Sequence, residues 1–246
     1  MPEMAPAGIN VVVARTLRRP DTPGTVPLPP SAAPHLHRLA RPAALQPAVA
    51  RLCEASVDVI AYASTTSGYA IGRAAEVELV ERLRQMSNVP VVTSGIAATQ
   101  ALRAFGAHRV AVVHPPWFDD DMGDLAAAYF RGQGFDVAIS TATSLPKDPE
   151  RVRPEHVIDW VSSNVDASTE AMFIAGNGFR AAQAIETLEH RTGQLVLEAN
   201  QVLLYSILAA TQTTLQVDGY GRLLRARPHA LKQSLAPVRP TAPEDA

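Results

Sequence analysis

Residues 57–72 read VDVIAYASTTSGYAIG, and this stretch decides the fold class. Its apolar first part is typical of a buried strand, and a helical pattern begins after Gly68. In a parallel α/β sheet, the carboxyl ends of the strands face the ligand crevice. The stretch therefore predicts a strand with a binding edge, where four hydroxyl residues stand together: Ser64, Thr65, Thr66 and Ser67.

The same alternation of short apolar runs and longer helical patterns continues along the chain and predicts an α/β fold with parallel sheets. Several runs are apolar throughout, as in strands that helices cover on both faces. The predicted strands span residues 9–15, 57–63, 89–93, 109–114, 135–140, 171–175 and 194–198. The predicted helices span residues 45–55, 73–85, 97–105, 119–132, 154–164, 179–191 and 201–211.

The order of strands and helices before residue 105 resembles the order after it, which predicts two similar α/β halves. We expect the first half to comprise residues 1–105 and 206–228, and the second half residues 106–205. The proline-rich segment 19–47 is expected to be an extended arm or lid. The tail, residues 229–246, is expected to be disordered.

The composition excludes several classes of function. A formal net charge of -2 provides no global field to attract nucleic acid or an anionic membrane. No apolar run approaches the length of a membrane span, and the opening MPEMAPAGIN lacks the features of a signal peptide, so we expect a cytoplasmic protein. The single cysteine, Cys53, rules out an internal disulfide framework and a multi-cysteine metal site.

Two further strand ends carry polar or glycine residues. FIAGNGFRAA, residues 173–182, places Gly176, Asn177 and Gly178 after a strand, where a ligand can approach the backbone closely. PVVTSGIAATQAL, residues 90–102, places Thr93 and Ser94 at another strand end. Each motif alone is also explained by helix capping or a tight turn, whereas three on one sheet edge would form a carboxylate or phosphate site.

The remaining candidates have plain structural alternatives. His114 is either a general base or a buried hydrogen-bonding residue. The acidic run that follows it is better explained by helix capping than by Mg²⁺: Asp119, Asp120 and Asp121. His35 and His37 lie on the arm without other ligands nearby, so we predict no metal site. Cys53 is expected to face the core as an inert apolar residue.

Four stretches together resemble the maleate cis-trans isomerase and arylmalonate decarboxylase branch of the aspartate/glutamate racemase superfamily. They are VDVIAYASTTSGYAIG, PVVTSGIAATQALRAFGAHRVAVV, MFIAGNGFRAAQAIETLEHRTGQLVLEANQVLLY and GYGRLL, and the resemblance extends over residues 9–224. It implies two Rossmann-like halves that face each other across a central cleft. It also implies a cofactor-independent enzyme that acts at a carbon next to a carboxylate.

The chain departs from that family at both catalytic cysteines. The first cysteine of the family corresponds to Ser64, and the second corresponds to Gly176. A serine hydroxyl needs a base to activate it, and glycine transfers no proton. A family tyrosine has Trp117 as its nearest counterpart, and the family's first strand with its Asn-containing loop has no counterpart before residue 9. We expect the natural protein to begin upstream.

The resemblance implies an isomerase or racemase-like enzyme for a small carboxylic or dicarboxylic acid, and a homodimer would fit the family. Ser64 and His114 are the predicted proton carriers, with a bound water as an alternative. The predicted cradle for the carboxylate comprises Thr65, Thr66, Thr93, Ser94, Gly176, Asn177 and Gly178. Two other hypotheses stay open: a cysteine-less decarboxylase or lyase, and an inactive relative that only binds a carboxylate.

Overall fold

The computed structural model describes residues 2–16 and 33–226, and its strands alternate with helices as the sequence predicts. All strand pairs are parallel. The strands are β1 (Ile60–Tyr62), β2 (Val91–Thr93), β3 (Arg109–His114), β4 (Asp136–Ala142), β5 (Ala171–Ile174) and β6 (Leu195–Glu198). The helices are α1 (Ala33–Leu39), α2 (Pro42–Glu54), α3 (Thr65–Ser87), α4 (Ser94–Ala104), α5 (Asp120–Arg131), α6 (Pro154–Asn164), α7 (Ile185–Thr192), α8 (Ala199–Ala210) and α9 (Gly221–Arg225).

The strands form two sheets, one in each predicted half. β1 and β2 form a two-stranded sheet, and the other four strands form a sheet in the order β4-β3-β5-β6. Each step between consecutive parallel strands is a helical crossover, which the parallel geometry requires. The expectation of an α/β fold with parallel sheets is confirmed. The division into residues 1–105 with 206–228 and residues 106–205 stays a proposal, and α8 crosses its boundary.

Helices cover both faces of the four-stranded sheet, because successive side chains along a strand point to opposite faces. Val112 and Phe173 belong to the larger core, which also includes residues of α4, α5 and α8. Ala111 and Met172 belong to a second core with α6 and α7. The continuous apolar sequence of β3 and β5 follows from burial on both sides. A third, smaller core packs α2 and α3 against the two-stranded sheet.

Three local predictions are wrong. Residues 9–15 form no strand, and Val13 is 68% exposed, because no neighbouring strand among the described residues pairs with this segment. The predicted arm contains α1 and the start of α2, whereas residues 17–32 lie outside the described part of the chain. Cys53 is exposed, because it lies on the outer face of α2 and not on the face that carries Leu45 and Val49.

Three other predictions concern the carboxyl-terminal tail, membrane-spanning helices and metal sites. The expected disordered tail, 229–246, lies outside the described residues. Across residues 2–16 and 33–226, no helix has the length and apolar character needed to cross a membrane. The same part of the chain holds no cluster of three or more potential metal-ligating side chains.

Candidate functional site

The carboxyl ends of strands from both sheets meet at one edge, and two hydrogen bonds connect them. The Gly176 amide, directly after β5 and Ala175, donates to Oγ1 of Thr65 at 3.3 Å. The Ser94 hydroxyl, at the start of α4, donates to Oδ1 of Asn177 at 3.3 Å. The structure therefore brings together the three motifs that the sequence analysis selected. Helices α3 and α4 both begin at this edge.

The hydroxyl residues after β1 form the first turn of α3, which begins eight residues earlier than predicted. Ser64 is the N-cap, and its Oγ accepts a hydrogen bond from the Ser67 amide at 3.3 Å. Its own hydroxyl donates to Oγ of Ser67 at 2.8 Å, and the Tyr62 hydroxyl donates to the same oxygen at 3.0 Å. The capping interpretation is therefore confirmed for Ser64. Within the described residues, no carboxylate or imidazole hydrogen-bonds its hydroxyl.

The predicted cradle residues and Ser64 differ in their access to solvent. Ser64, Thr66 and Asn177 are partly buried and Gly178 is exposed, so these four can meet a ligand at the edge. Four others are buried and support the edge from behind: Thr65, Thr93, Ser94 and Gly176. α4 begins at Ser94, three residues before the predicted start, because the backbone becomes helical directly after the extended N-cap Thr93.

Gly176 has a backbone conformation that suits glycine alone. Its φ is +89°, in the left-handed region, and a Cβ added there would lie 2.9 Å from Cγ of Pro115. Such a distance is shorter than a carbon–carbon contact allows, so a side chain at this position requires Pro115 to move. Position 176, the predicted counterpart of the family's second cysteine, is therefore closed to a thiol in this backbone.

Behind Asn177 lies a buried polar network that the sequence analysis missed. The Asn177 side-chain amide donates to Oδ1 of Asn200 at 3.2 Å, and Nδ2 of Asn200 donates to the Glu198 carboxylate at 2.9 Å. Glu198 ends β6, caps α8 through the amides of Asn200 and Gln201, and is 0% exposed. Burial raises the pKa of Glu198 to about 7. The sequence LEANQ, residues 197–201, contained the signal, since it is another strand end with a carboxyl and an amide.

His114, the predicted base, ends β3 and is 0% exposed. The Ser140 hydroxyl donates to the Gly123 carbonyl oxygen at 2.7 Å, so Nε2 of His114, 3.1 Å from the same hydroxyl oxygen, must be the donor of that pair. Nδ1 then carries a lone pair, and it has no hydrogen-bond partner among the described residues. Burial lowers the pKa of His114 to about 4. The imidazole is therefore neutral and weakly basic near pH 7.

His114 also has aromatic neighbours on two sides. Its ring stacks on Phe118 with centroids 5.6 Å apart and meets Tyr69 edge-on at 6.2 Å. In the described part of the chain no hydrogen bond links it to a residue of the predicted cradle. Its structural interpretation is supported by these contacts, and its catalytic role stays a prediction. Trp117, the predicted counterpart of the family tyrosine, packs edge-on against Phe179 with ring centroids 5.9 Å apart.

A second buried carboxylate, that of Glu76, lies under the first turns of α3 and α4. Cβ atoms added at Gly68 or Gly95 would approach this carboxyl group to 3.0 Å, so glycine at both positions makes room for it. The Tyr129 hydroxyl donates to its Oε2. Burial raises the pKa of Glu76, while Thr93 and Tyr129 lower it. No sequence signal marks Glu76, because its partner on α5 lies far along the chain.

The acidic run at the start of α5 is a cap, as expected. Oδ1 of Asp119 accepts the Met122 amide at 3.0 Å, and Asp120 and Asp121 occupy the first turn. Carboxylates there interact favourably with the helix dipole.

The fold and this edge define a class of protein, namely the two-sheet α/β enzymes of the aspartate/glutamate racemase type. The family model for arylmalonate decarboxylase matches residues 43–224 of the 246-residue chain. The chain belongs to the arylmalonate decarboxylase family. Among curated protein sequences, none matches this chain.

Solved structures agree with the family. Maleate isomerase Iso of Pseudomonas putida S16, as a cysteine-to-alanine variant with maleate, is 26% identical, with a TM-score of 0.72 and coverage of 79% of either chain. A cysteine-to-serine variant of Nocardia farcinica maleate cis-trans isomerase, with a covalently bound succinylcysteine intermediate, is 24% identical, with a TM-score of 0.70 and 80% coverage of both chains. A glycine-to-cysteine variant of arylmalonate decarboxylase is 19% identical, with a TM-score of 0.70 and coverage of 78% of this chain and 82% of that chain.

Proposed function

We propose that this protein is a cofactor-independent enzyme that isomerises or racemises a small carboxylic or dicarboxylic acid at the edge where α3 and α4 begin. The related structures include a maleate isomerase with maleate bound, and a maleate cis-trans isomerase with a succinylcysteine intermediate. These two related structures support a carboxylate as the ligand class. The absence of cysteine at positions 64 and 176 means that the chemistry differs from a thiol-based one.

One observation carries the proposal: the hydrogen bonds Ser94–Asn177 and Gly176–Thr65 connect the strand ends of the two sheets. Hydroxyl and amide groups from both sheets thereby converge on one edge. Such groups, together with backbone amides at helix N-termini, bind carboxylates. Ser64, Thr66, Asn177 and Gly178 are the members that a ligand can contact from solvent.

Isomerisation or racemisation of this kind requires a group that carries a proton to or from the substrate. We assign this role to Ser64 or to a water that Ser64 binds, because its oxygen is partly buried at the edge. His114 fits the role less well, since burial lowers its pKa to about 4 and its Nε2 is bonded to Ser140.

Two other functions have support of their own. A decarboxylase is favoured by the family model, whose description is arylmalonate decarboxylase. An inactive carboxylate-binding protein is favoured by the closed position at Gly176, where Pro115 leaves no room for a side chain.

Proton NMR in D₂O separates these three functions. The purified protein is incubated with maleate, aspartate, glutamate, phenylmalonate and a hydantoin, and isomerisation, deuterium uptake and loss of CO₂ are followed together. Enzyme-dependent isomerisation or exchange supports the leading proposal, and release of CO₂ alone supports the decarboxylase. Saturable binding without any reaction supports the inactive relative.

Variants identify the site that is responsible. Asn177→Ala should abolish turnover or binding, because it removes the cross-sheet contact of that side chain with Ser94 and its contact with Asn200. Asn164→Ala is the matched control, since Asn164 is exposed at the end of α6 and bonds the Trp160 carbonyl. Equal activity in both variants would contradict the assignment of the site.

The proposal extends to assembly and location. We assign the protein a homodimeric state and a cytoplasmic location, both on the basis of its family membership. Light scattering coupled to size-exclusion chromatography measures the first, and fractionation of the native host measures the second.

A further inference from the structure

Three side chains connect the buried Glu198 carboxylate to the candidate site. Nδ2 of Asn200 donates to Oε1 of Glu198 at 2.9 Å, and Nδ2 of Asn177 donates to Oδ1 of Asn200 at 3.2 Å. The Ser94 hydroxyl donates to Oδ1 of Asn177 at 3.3 Å. Asn177 and Asn200 are partly buried, and Ser94 and Glu198 are 0% exposed.

In this series of hydrogen bonds, each donor lies on the Ser94 side and each acceptor lies on the Glu198 side. An ionised carboxylate only accepts hydrogen bonds, so Asn200 must present its NH₂ group to it. The carbonyl oxygen of Asn200 then faces Asn177, which must present its own NH₂ group, and its carbonyl oxygen is left to face Ser94. The Asn177 backbone carbonyl accepts from the same Asn200 nitrogen at 3.1 Å and supports this direction.

We propose that Glu198 is a positioning residue that orients the Asn177 amide through Asn200 and couples the binding of a carboxylate at Asn177 to the uptake of one proton. The proposal rests on the function proposed above. Oε2 of Glu198 accepts both backbone amides, so a proton on this carboxyl group resides on Oε1, and an Oε1–H that donates to Asn200 requires the Asn200 amide to turn over. The Asn177 amide then has to adjust in its turn.

The surroundings of Glu198 favour this coupling. Its carboxylate accepts two backbone amides and one side-chain amide, and within the described residues it forms no ion pair. Burial raises its pKa to about 7, so a small change of field changes its protonation. A ligand carboxylate at Asn177 adds a second negative charge, which disfavours the ionised form of Glu198. Binding should therefore be tighter at lower pH.

Other ionisable groups near this edge have to be separated from Glu198. Glu76 lies under the first turn of α4, His114 ends β3, and Glu189 beside β6 is paired with Arg222. The pKa of His114 is about 4, below the range of interest. Glu198→Gln retains all of these groups, so it is the matched control.

The first measurement needs no ligand. Side-chain NH₂ signals of Asn177 and Asn200 in ¹⁵N-labelled protein are followed by NMR from pH 6 to pH 8 in the wild type and in Glu198→Gln. We expect both signals to shift together around pH 7 in the wild type and to stay constant in the variant. Asn200→Ala removes the side chain that connects Glu198 to Asn177 but retains Glu198. In this variant the Asn177 signal should not change with pH. A wild-type signal without titration, or equal titration in Glu198→Gln, overturns the proposal.

The second measurement is calorimetry of maleate and phenylacetate binding in buffers of different ionisation enthalpy. The wild type should take up a fraction of a proton at pH 7.5 and bind up to about tenfold more tightly at pH 6 than at pH 8, the effect of about one pKa unit. Glu198→Gln should take up none. Binding with no difference between the two proteins overturns the coupling and leaves the proposed function intact. Binding of neither acid, despite titrating amides, overturns the proposed function and the coupling with it.

Discussion

Gly176 illustrates how the conformation of one residue limits the chemistry of a site. Its φ of +89° and its contact with Pro115 both depend on the missing Cβ. A cysteine at this position would need a different backbone and a displaced proline. The absence of a cysteine at position 176, the predicted counterpart of the second family cysteine, is therefore also determined by the residues around it and not by one side chain alone.

The first prediction concerns this position. Gly176→Ala should lower the free energy of unfolding by about 2–4 kcal/mol, because strain at a positive φ costs about 1 kcal/mol and overpacking about 1–3 kcal/mol. Urea denaturation measures the difference. Gly178→Ala is the matched control and should change stability little, since nothing lies within 4 Å of its added Cβ. Pro115→Ala should recover part of the loss in the Gly176→Ala background, and a Gly176→Ala protein of wild-type stability would contradict the argument.

The second prediction concerns His114, whose pKa of about 4 in the folded protein lies below its ordinary value of 6.5. The unfolded chain therefore binds a proton first as the pH falls. The stability contributed by the neutral imidazole is present above pH 6.5 and is lost as the pH falls toward 4. At about 1.4 kcal/mol per pKa unit, the loss is about 3 kcal/mol.

Chemical denaturation of the wild type and His114→Gln at pH 7 and pH 4 measures this effect. The variant lacks the titrating group, so its stability should fall by about 3 kcal/mol less between the two pH values. Glu198 acts with the opposite sign, since its pKa of about 7 is raised, and it is common to both proteins. An equal loss in the two proteins would show that His114 does not titrate as a buried group.

At the scale of elements, α3 contains a break that separates the hydroxyl residues of the candidate site from the part that carries Glu76. Gly72 has φ 76° and ψ 166° inside the helix. The turn before the break carries the hydroxyl residues of the candidate site, and the part after it carries Glu76. The break lets Glu76 reach back toward Gly68, four residues before Gly72.

The third prediction tests this break. This combination of φ and ψ is populated almost only by glycine, so Gly72→Ala should cost about 1–3 kcal/mol of unfolding free energy. The space itself is open, since nothing lies within 4 Å of an added Cβ, so the cost arises from the backbone alone. Thermal and urea unfolding measure it. A stabilised Gly72→Ala protein would mean that α3 straightens and that the break is dispensable.

The elements also show what the sequence could predict. The bounds of β3 and α6 are as predicted, because Gly and Pro mark their ends and their apolar periodicity is strong. The early starts of α3 and α4 were missed, since a run of Ser and Thr suits both a strand-end loop and a first helical turn. Residues 9–15 have strand-like composition, but a strand also needs a neighbour, and composition does not specify one.

The candidate site was also predictable only in part from the sequence. Three strand-end motifs were found, because parallel topology places such ends at one edge. Glu198 was missed, although LEANQ marks a fourth strand end, since the sequence does not show that its carboxyl group is buried or that Asn200 connects it to Asn177. Glu76 was missed because Tyr129, which hydrogen-bonds it, is 53 positions away. Partners so distant become visible only once the chain is folded.

At the scale of the whole molecule, the larger core contains residues from both predicted halves. Leu102 and Ala98 of α4 share it with Phe173 and Leu197 of the four-stranded sheet. The two sheets are also connected by the hydrogen bonds Ser94–Asn177 and Gly176–Thr65. A shared core of this kind favours one cooperative unit over two independent halves.

The fourth prediction follows from this shared core. Trp117 and Trp160 both pack against the second core, whose residues lie in the half 106–205, so fluorescence reports on that half, whereas circular dichroism reports helices of both. We expect the two urea transitions to coincide. Leu102 lies in the first half and is 0% exposed in the shared core. Leu102→Ala should therefore lower the free energy of unfolding by about 2–5 kcal/mol and shift both urea midpoints together. If the tryptophan transition stayed in place while the dichroism transition moved, the halves would unfold separately, and the site between them would depend on docking two stable units.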